Sequence, residues 1–200
     1  KDNTINITVI SLGPERVKQS LTKTLAMGAD EAIHLQTDNS INDCMTIANI
    51  ITNEIKKKQY DLILFGKKSV DQDNNQVGMI IGEINGIPCI SNCSEFVIED
   101  NKIVANREVE GSVEVFEGEF PVIITHEKGK NELRYPSLKD LMAAKKKSIN
   151  TIDVDVNDNN NSELIRLEYP KKREEGIIIG EDKSAVPELI RILREERKLI

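Results

Sequence analysis

Tryptophan is absent from the 200 residues, and aromatic side chains make up only 4% of them. A core of Ile, Val, Leu and Ala is therefore expected, with few rings on which nucleic-acid bases can stack. Basic charge is also in deficit. The 27 Lys and Arg residues face 34 Asp and Glu, and the net charge of −7 argues against nucleic acid as a partner. No apolar run approaches the roughly 20 residues of a transmembrane helix, so no membrane insertion is expected. Cysteine is scarce: Cys44, Cys89 and Cys93. The last two have a C-x3-C spacing, but a zinc site needs a second pair of ligands, and His34 and His126 stand alone, so no metal is expected. An odd cysteine count with no visible signal or transit peptide predicts reduced thiols in the cytoplasm, or in the mitochondrial matrix if the source is eukaryotic. The sequence opens in Lys1-Asp2-Asn3 and enters a strand at once, so its natural start is expected upstream.

The length suits one large domain, or a domain plus an arm, with a core that needs no disulfides. The first part alternates strand and helix. Short β-rich runs at 5–11, 32–35 and 61–65 are separated by helical patterns at 15–27 and 41–58, and a third helix is expected over 76–84. Gly28 stops the first helix. Compact apolar strands between amphipathic helices predict a Rossmann-like parallel sheet covered on both faces. After Pro88 the texture changes. Runs at 95–99, 102–108, 112–116 and 122–126, punctuated by Asn101, Gly111 and Gly118, predict added antiparallel strands. A short helix follows over 136–146, entered near Ser137. A polar stretch, NDNNNS, lies at 157–162, and 164–172 reads as extended. A last helix is expected from an N-cap at Ser184 to Leu199, with Pro187 in its first turn. The organisation is thus an α/β nucleotide-binding domain over 1–150, then an extended linker and a C-terminal helical arm over 151–200.

Open α/β sheets bind ligands beyond the carboxyl ends of their strands. Two such ends stand out: Ser11-Leu12-Gly13-Pro14, and the loop Gly66 to Gly78, GKKSVDQDNNQVG. The second runs into a helix whose first amides suit a phosphate. Asp71 and Asp73 would repel a phosphate if aimed at it, so they are expected to accept hydrogen bonds from backbone or ribose. Judged by its residues alone, this loop is either a binding loop or a plain connection.

The ordered blocks LGP at 12–14, TLAMGADEAIHL at 24–35, DLILFGKKSVDQDNNQVG at 61–78, REVEGSVEV at 107–115, FPVIIT at 120–125, RYPSLKDLMAAKKKSI at 134–149 and GEDKSAVPELIRILREERKLI at 180–200 resemble the electron transfer flavoprotein β-subunit family. They span nearly the whole chain. The resemblance implies a fold like that of the adenine-nucleotide α-hydrolases. It also implies a further strand ahead of residue 5, which would complete the sheet and the nucleotide pocket. It implies an electron carrier rather than an enzyme acting alone, paired with an α-subunit as a heterodimer. That α-subunit holds or shares the redox FAD, and electrons come from a flavin-dependent dehydrogenase of the acyl-CoA type, as in fatty acid oxidation.

Residue by residue, the resemblance makes Leu12 and the loop Gly66, Lys67, Lys68, Ser69, Val70, Asp71, Gln72, Asp73, Asn74, Asn75, Gln76, Val77 and Gly78 the nucleotide contacts, many through backbone amides. The nucleotide is AMP in some members and a second FAD in bifurcating ones. Asn75-Gln76 leans to the first and Gln76-Val77-Gly78 to the second, and Val77 departs from the threonine usual in AMP-holding members. Arg107 and Glu108 match a pair near the α-subunit's mobile flavin domain. By their residues alone they are a strand-surface ion pair. Leu138, with Arg134 and Tyr135 beside it, matches an anchor for the dehydrogenase, or else staples its own helix. Lys145 and Lys146, with Lys147, are either a solvated basic face or a steering patch for an acidic partner, and Ala143 replaces a usual basic position. The apolar stripe that includes Leu189 and Leu193 implies that the arm packs on the α-subunit. The rival class, a nucleotide hydrolase or ligase of the α-hydrolase type, needs an SGGxDS-like phosphate grip near the first strand, and none is visible. A stand-alone nucleotide-binding regulator is a third reading.

Overall fold

A computed structural model describes residues 5–38, 43–127, 132–156, 165–173 and 175–200. The chain divides into two compact units, 1–163 and 164–200. The first opens with β1 (Thr8–Gly13), α1 (Val17–Met27), β2 (Glu31–Gln36), α2 (Cys44–Ile55), β3 (Leu62–Gly66) and α3 (Val77–Asn85). It continues through β4 (Cys89–Cys93), β5 (Glu95–Glu99), β6 (Lys102–Val109), β7 (Ser112–Glu119), β8 (Val122–His126), α4 (Leu138–Ala144) and β9 (Asn150–Asp153).

The strands form three three-stranded sheets, ordered β1-β2-β9, β3-β8-β4 and β5-β6-β7. The first two are parallel throughout and the third is antiparallel. The α/β class with a parallel sheet and added antiparallel strands is therefore as the residue pattern predicted, although the parallel strands lie in two sheets. Among the described residues, β1 and β3 do not pair with each other.

Strand β8 shows why the sequence folds this way. Val122, Ile123 and Ile124 have no exposed surface, as a strand covered on both faces requires. Side chains alternate across a strand. Ile123 therefore joins Ala48, Ile55 and Ile81 of the helical layer, while Val122 and Ile124 join Ile90, Cys93, Ile103 and Ala105 under the antiparallel sheet. Each buried Val or Ile among them contributes about 1.5–3 kcal/mol. A third cluster sets Leu21, Leu25 and Ala26 of α1 against Ala32 of β2, and Ala144 of α4 closes it. Gly28 ends α1 at φ 122°, backbone that a side chain would strain.

Two strands were not foreseen. β4 is a small, partly polar run whose pairing with β8 shifts register between Ile90 and Cys93, so its alternation is broken. β9 has four residues and, among the described residues, pairs only with β2. The second unit also departs in detail. A 3-10 turn at Lys183–Ala185 leads into α5 (Val186–Arg191) and then a π-helical turn at Ile192–Glu196. The helix thus ends at Glu196, short of Leu199. Its entry is capped by Asp182, which accepts from the Ser184 N–H; Ser184 is not the cap. Carboxylate and hydroxyl both serve as caps, so the sequence does not decide between neighbours. Residues 165–173 form no helix or strand.

Candidate functional site

The carboxyl ends of three of the parallel strands, β1, β2 and β3, line a cleft of about 730 Å3. The β1 end contributes Leu12, Gly13, Pro14 and Arg16, and the β2 end contributes Thr37. Helix α2 supplies Cys44 and Ile47. The remaining wall is Phe65 followed by Gly66, Lys67, Lys68, Ser69, Asp71, Gln72 and the run Asn74 to Gly78. Both strand ends singled out in the sequence therefore meet at one place. Val70 and Asp73 are exceptions. Val70 is fully exposed and Asp73 pairs with Lys68 at 2.5 Å, and neither lines the cleft.

The loop is held by bonds along its length. The Lys67 N–H donates to the His126 carbonyl at 2.9 Å and the Asp73 N–H to the Ser69 carbonyl at 3.1 Å. The Lys67 ammonium pairs with Glu127. Asn74 Nδ2 donates to Cys44 Sγ at 3.3 Å, tying the loop to α2. Asp73 and Asn75 adopt φ of 56° and 50°, a left-handed region that Asp and Asn enter more readily than other side chains. The Asp71 carboxylate turns back into the loop. It accepts from the Gln72 N–H at 2.9 Å, and hydrogen bonds from the Ser69 side chain and that amide hold its carboxyl below the usual range.

Where the loop enters α3, no side chain caps the helix. The first amides of a helix have no partner within it, so Val77 and Gly78, both on the cleft wall, leave main-chain donors at the positive end of a helix dipole. Arg16 adds a guanidinium that makes no ion pair or hydrogen bond with any described residue. Donors of this kind suit a phosphate, and the half-apolar wall of Leu12, Ile47 and Phe65 suits a planar ring. The sequence reading missed Arg16, Thr37, Cys44 and Ile47. Arg16 precedes α1, Thr37 follows β2 and the other two lie on α2, so no single stretch of sequence marks them.

Among the described residues no cluster could hold a metal ion. His34 has no exposed surface and its Nε2 donates to the Gly13 carbonyl at 2.8 Å. His126 stacks edge-on against Phe96 with ring centroids 5.6 Å apart.

Residues 1–157 match the family model described as the electron transfer flavoprotein domain. Similarity to individual proteins extends further. The chain is 32% identical to the electron transfer flavoprotein subunit beta of Bacillus subtilis over 203 residues, covering 97% of this chain and 79% of that protein. It is 34% identical to the mitochondrial subunit beta of Arabidopsis thaliana, covering 97% of this chain and 77% of the relative. The chain belongs to the electron transfer flavoprotein β-subunit family. The subunit beta of Megasphaera elsdenii is 37% identical over a shorter region, 76% of this chain and 59% of that relative.

Outside the cleft, the other contact positions singled out in the sequence are exposed or half-buried. Leu138 is 81% exposed at the first turn of α4, where Ser137 and Asp140 form a reciprocal capping box. That turn is fixed by polar bonds, and the leucine side chain is left in solvent. Arg134, Tyr135, Lys145 and Lys146 are exposed with it. The arginine–glutamate ion pair is not made within the Arg107–Glu108 dipeptide. Neighbours on a strand point to opposite faces, and Arg107 instead binds Glu114 across the β6–β7 pair at 2.5–2.8 Å. Its guanidinium lies 4.6 Å above the Phe116 ring. In the second unit, Leu189 is exposed and Leu193 half-buried. No helix among the described residues is long and apolar enough to cross a membrane.

Proposed function

We propose that this chain is the nucleotide-holding and partner-docking half of a heterodimeric electron carrier. With an α-subunit that binds FAD, it passes electrons from an acyl-CoA-type dehydrogenase to an acceptor. The observation that carries the nucleotide reading is the uncapped start of α3, where Val77 and Gly78 both line the 730 Å3 cleft. That volume lies within the roughly 300–1,000 Å3 range of small-molecule sites. Arg16 and the α3 amides take the phosphate of AMP, or the pyrophosphate of a second FAD, and the ring sits against Leu12, Ile47 and Phe65.

The redox chemistry belongs to the flavin when it is bound. This chain needs no acid, base or nucleophile of its own, because flavin-to-flavin distance is set by docking and by movement of the flavin domain. Its work is to hold a nucleotide and to present a surface. The exposed Leu138, with Arg134, Tyr135, Lys145 and Lys146, forms the dehydrogenase contact. The β6 segment that carries Arg107 and Glu108 lies beside the α-subunit's flavin domain. The arm over 151–200, through Leu189 and Leu193, joins the α-subunit, while 1–150 carries the cleft. The free cysteines suit the cytoplasm or the mitochondrial matrix.

The test is reconstitution. The chain and an α-subunit are combined with FAD and mixed with a reduced dehydrogenase, and flavin bleaching is followed. Saturable electron transfer that requires both subunits is expected. Equal transfer to the α-subunit alone would remove this chain from the pathway.

A further inference from the structure

One side chain outside the cleft wall ties the loop to the centre of the fold. Asn75 Nδ2 donates to Asn92 Oδ1 at 3.0 Å, and the Asn92 N–H donates to Thr125 Oγ1 at 2.9 Å. Thr125 lies on β8 and is 2% exposed. The methyl group of the same threonine is the nearest obstacle to any side chain at Gly78. Both ends of the segment 75–78 are therefore referred to one buried residue, Gly78 by contact and Asn75 through Asn92. Asn92 occupies the irregularity where the β4–β8 register shifts. Its φ of 58° is one that asparagine tolerates better than most residues. A bulge re-aims a side chain that regular pairing would point elsewhere. Here the side chain so aimed meets the last loop residue before Gln76 and α3.

We propose that Asn92 is a positioning residue for the nucleotide site. Through Asn75 it holds the loop Gly66–Gly78 in the shape that presents the Val77 and Gly78 amides to a phosphate, without touching the nucleotide itself. The nucleotide half of this assignment rests on the reading of the cleft given above, and the loop half does not.

Two variants of the full chain, in complex with its α-subunit, separate side chain from backbone. Asn92→Gly keeps the left-handed backbone unstrained and deletes the acceptor. Asn92→Asp keeps both an acceptor for Asn75 and tolerance of that backbone. AMP and FAD are the titrants, read by calorimetry, and hydrogen exchange of the 69–76 amides reads the loop. Asn92→Gly is expected to raise the nucleotide Kd about fivefold, roughly 1 kcal/mol at 1.4 kcal/mol per tenfold, and to speed loop exchange. Asn92→Asp is expected to restore both to within about twofold of the parent. Where the parent binds AMP or FAD, unchanged affinity in Asn92→Gly overturns the assignment, as does an Asn92→Asp that fails as badly as Asn92→Gly. If the parent binds neither titrant while Asn92→Gly still speeds exchange and Asn92→Asp does not, the clamp stands and the nucleotide reading alone falls. Unchanged exchange in Asn92→Gly overturns the clamp in either case.

Discussion

A Cβ placed on Gly78 would lie 2.7 Å from the Thr125 methyl group, and the same atom would come within 3.2 Å of the Phe65 ring. Both neighbours belong to strands of one sheet, so neither can retreat cheaply. Gly78→Val is therefore expected to cost about 1–3 kcal/mol, the usual penalty for overpacking, and to lower nucleotide content by shifting the start of α3. Gln76→Ala removes a side chain that does not cap the helix and should have the smaller effect. Thermal melts and nucleotide content of both purified variants check this. Content unchanged from the parent in both variants would exclude the loop as the site.

Leu138→Ala should leave the fold almost untouched, because the side chain is 81% exposed and surface changes of this kind fall within about 0.5 kcal/mol. Its expected effect is a raised apparent KM of the dehydrogenase for the flavoprotein, since a small apolar anchor carries more binding energy than its charged rim. Neutralising Lys145 and Lys146 should slow association chiefly at low salt, because exposed charges are screened beyond about 10 Å at 0.1 M. Normal kinetics with a lowered melting temperature for Leu138→Ala would make it a helix staple instead.

The fold was legible wherever a strand was apolar or a helix had a clear face. The DLILF and VIIT runs and the α2 pattern are long enough to carry their own period. What was not legible depends on partners remote in sequence. The four-residue β9 is marked only by its pairing with β2. The β4 bulge hides its strand behind Ser91 and Asn92. The Arg107–Glu114 pair follows from hairpin register, which adjacency in the sequence does not suggest. At the site, the loop Gly66–Gly78 stood out through its composition, whereas Thr37 and Cys44 reach the cleft wall from the end of β2 and the start of α2, where no local motif marks them.

Deleting 180–200 should weaken heterodimer formation and leave the α/β unit folded. The two regions form separate compact units, and Val186, Leu189, Ile190 and Leu199 all expose apolar surface. The check is a binding titration with the α-subunit alongside a melt of the shortened chain. Unchanged affinity would place the subunit contact elsewhere.

Alkaline stability should depend on Cys93. Burial pushes its thiol up to about 11, whereas a thiol in an unfolded chain titrates near ~8.5. Between those values the native state keeps a proton that the unfolded state has lost. The contribution is full below the unfolded value and declines as pH rises through the window towards 11. Denaturant titrations at neutral pH and at about pH 10 should show a steeper loss in the parent than in Cys93→Ala. Equal losses would mean that the thiol does not control the alkaline limb.

The nucleotide in the cleft is the central claim, and its most direct measurement is mass spectrometry of the small molecules released from the purified heterodimer. One adenine nucleotide per copy of this chain is expected beyond the FAD held with the α-subunit, either AMP or a second FAD, with its amount reduced by Gly78→Val. A heterodimer that transfers electrons at full rate and releases a single FAD with no further adenine nucleotide would contradict it.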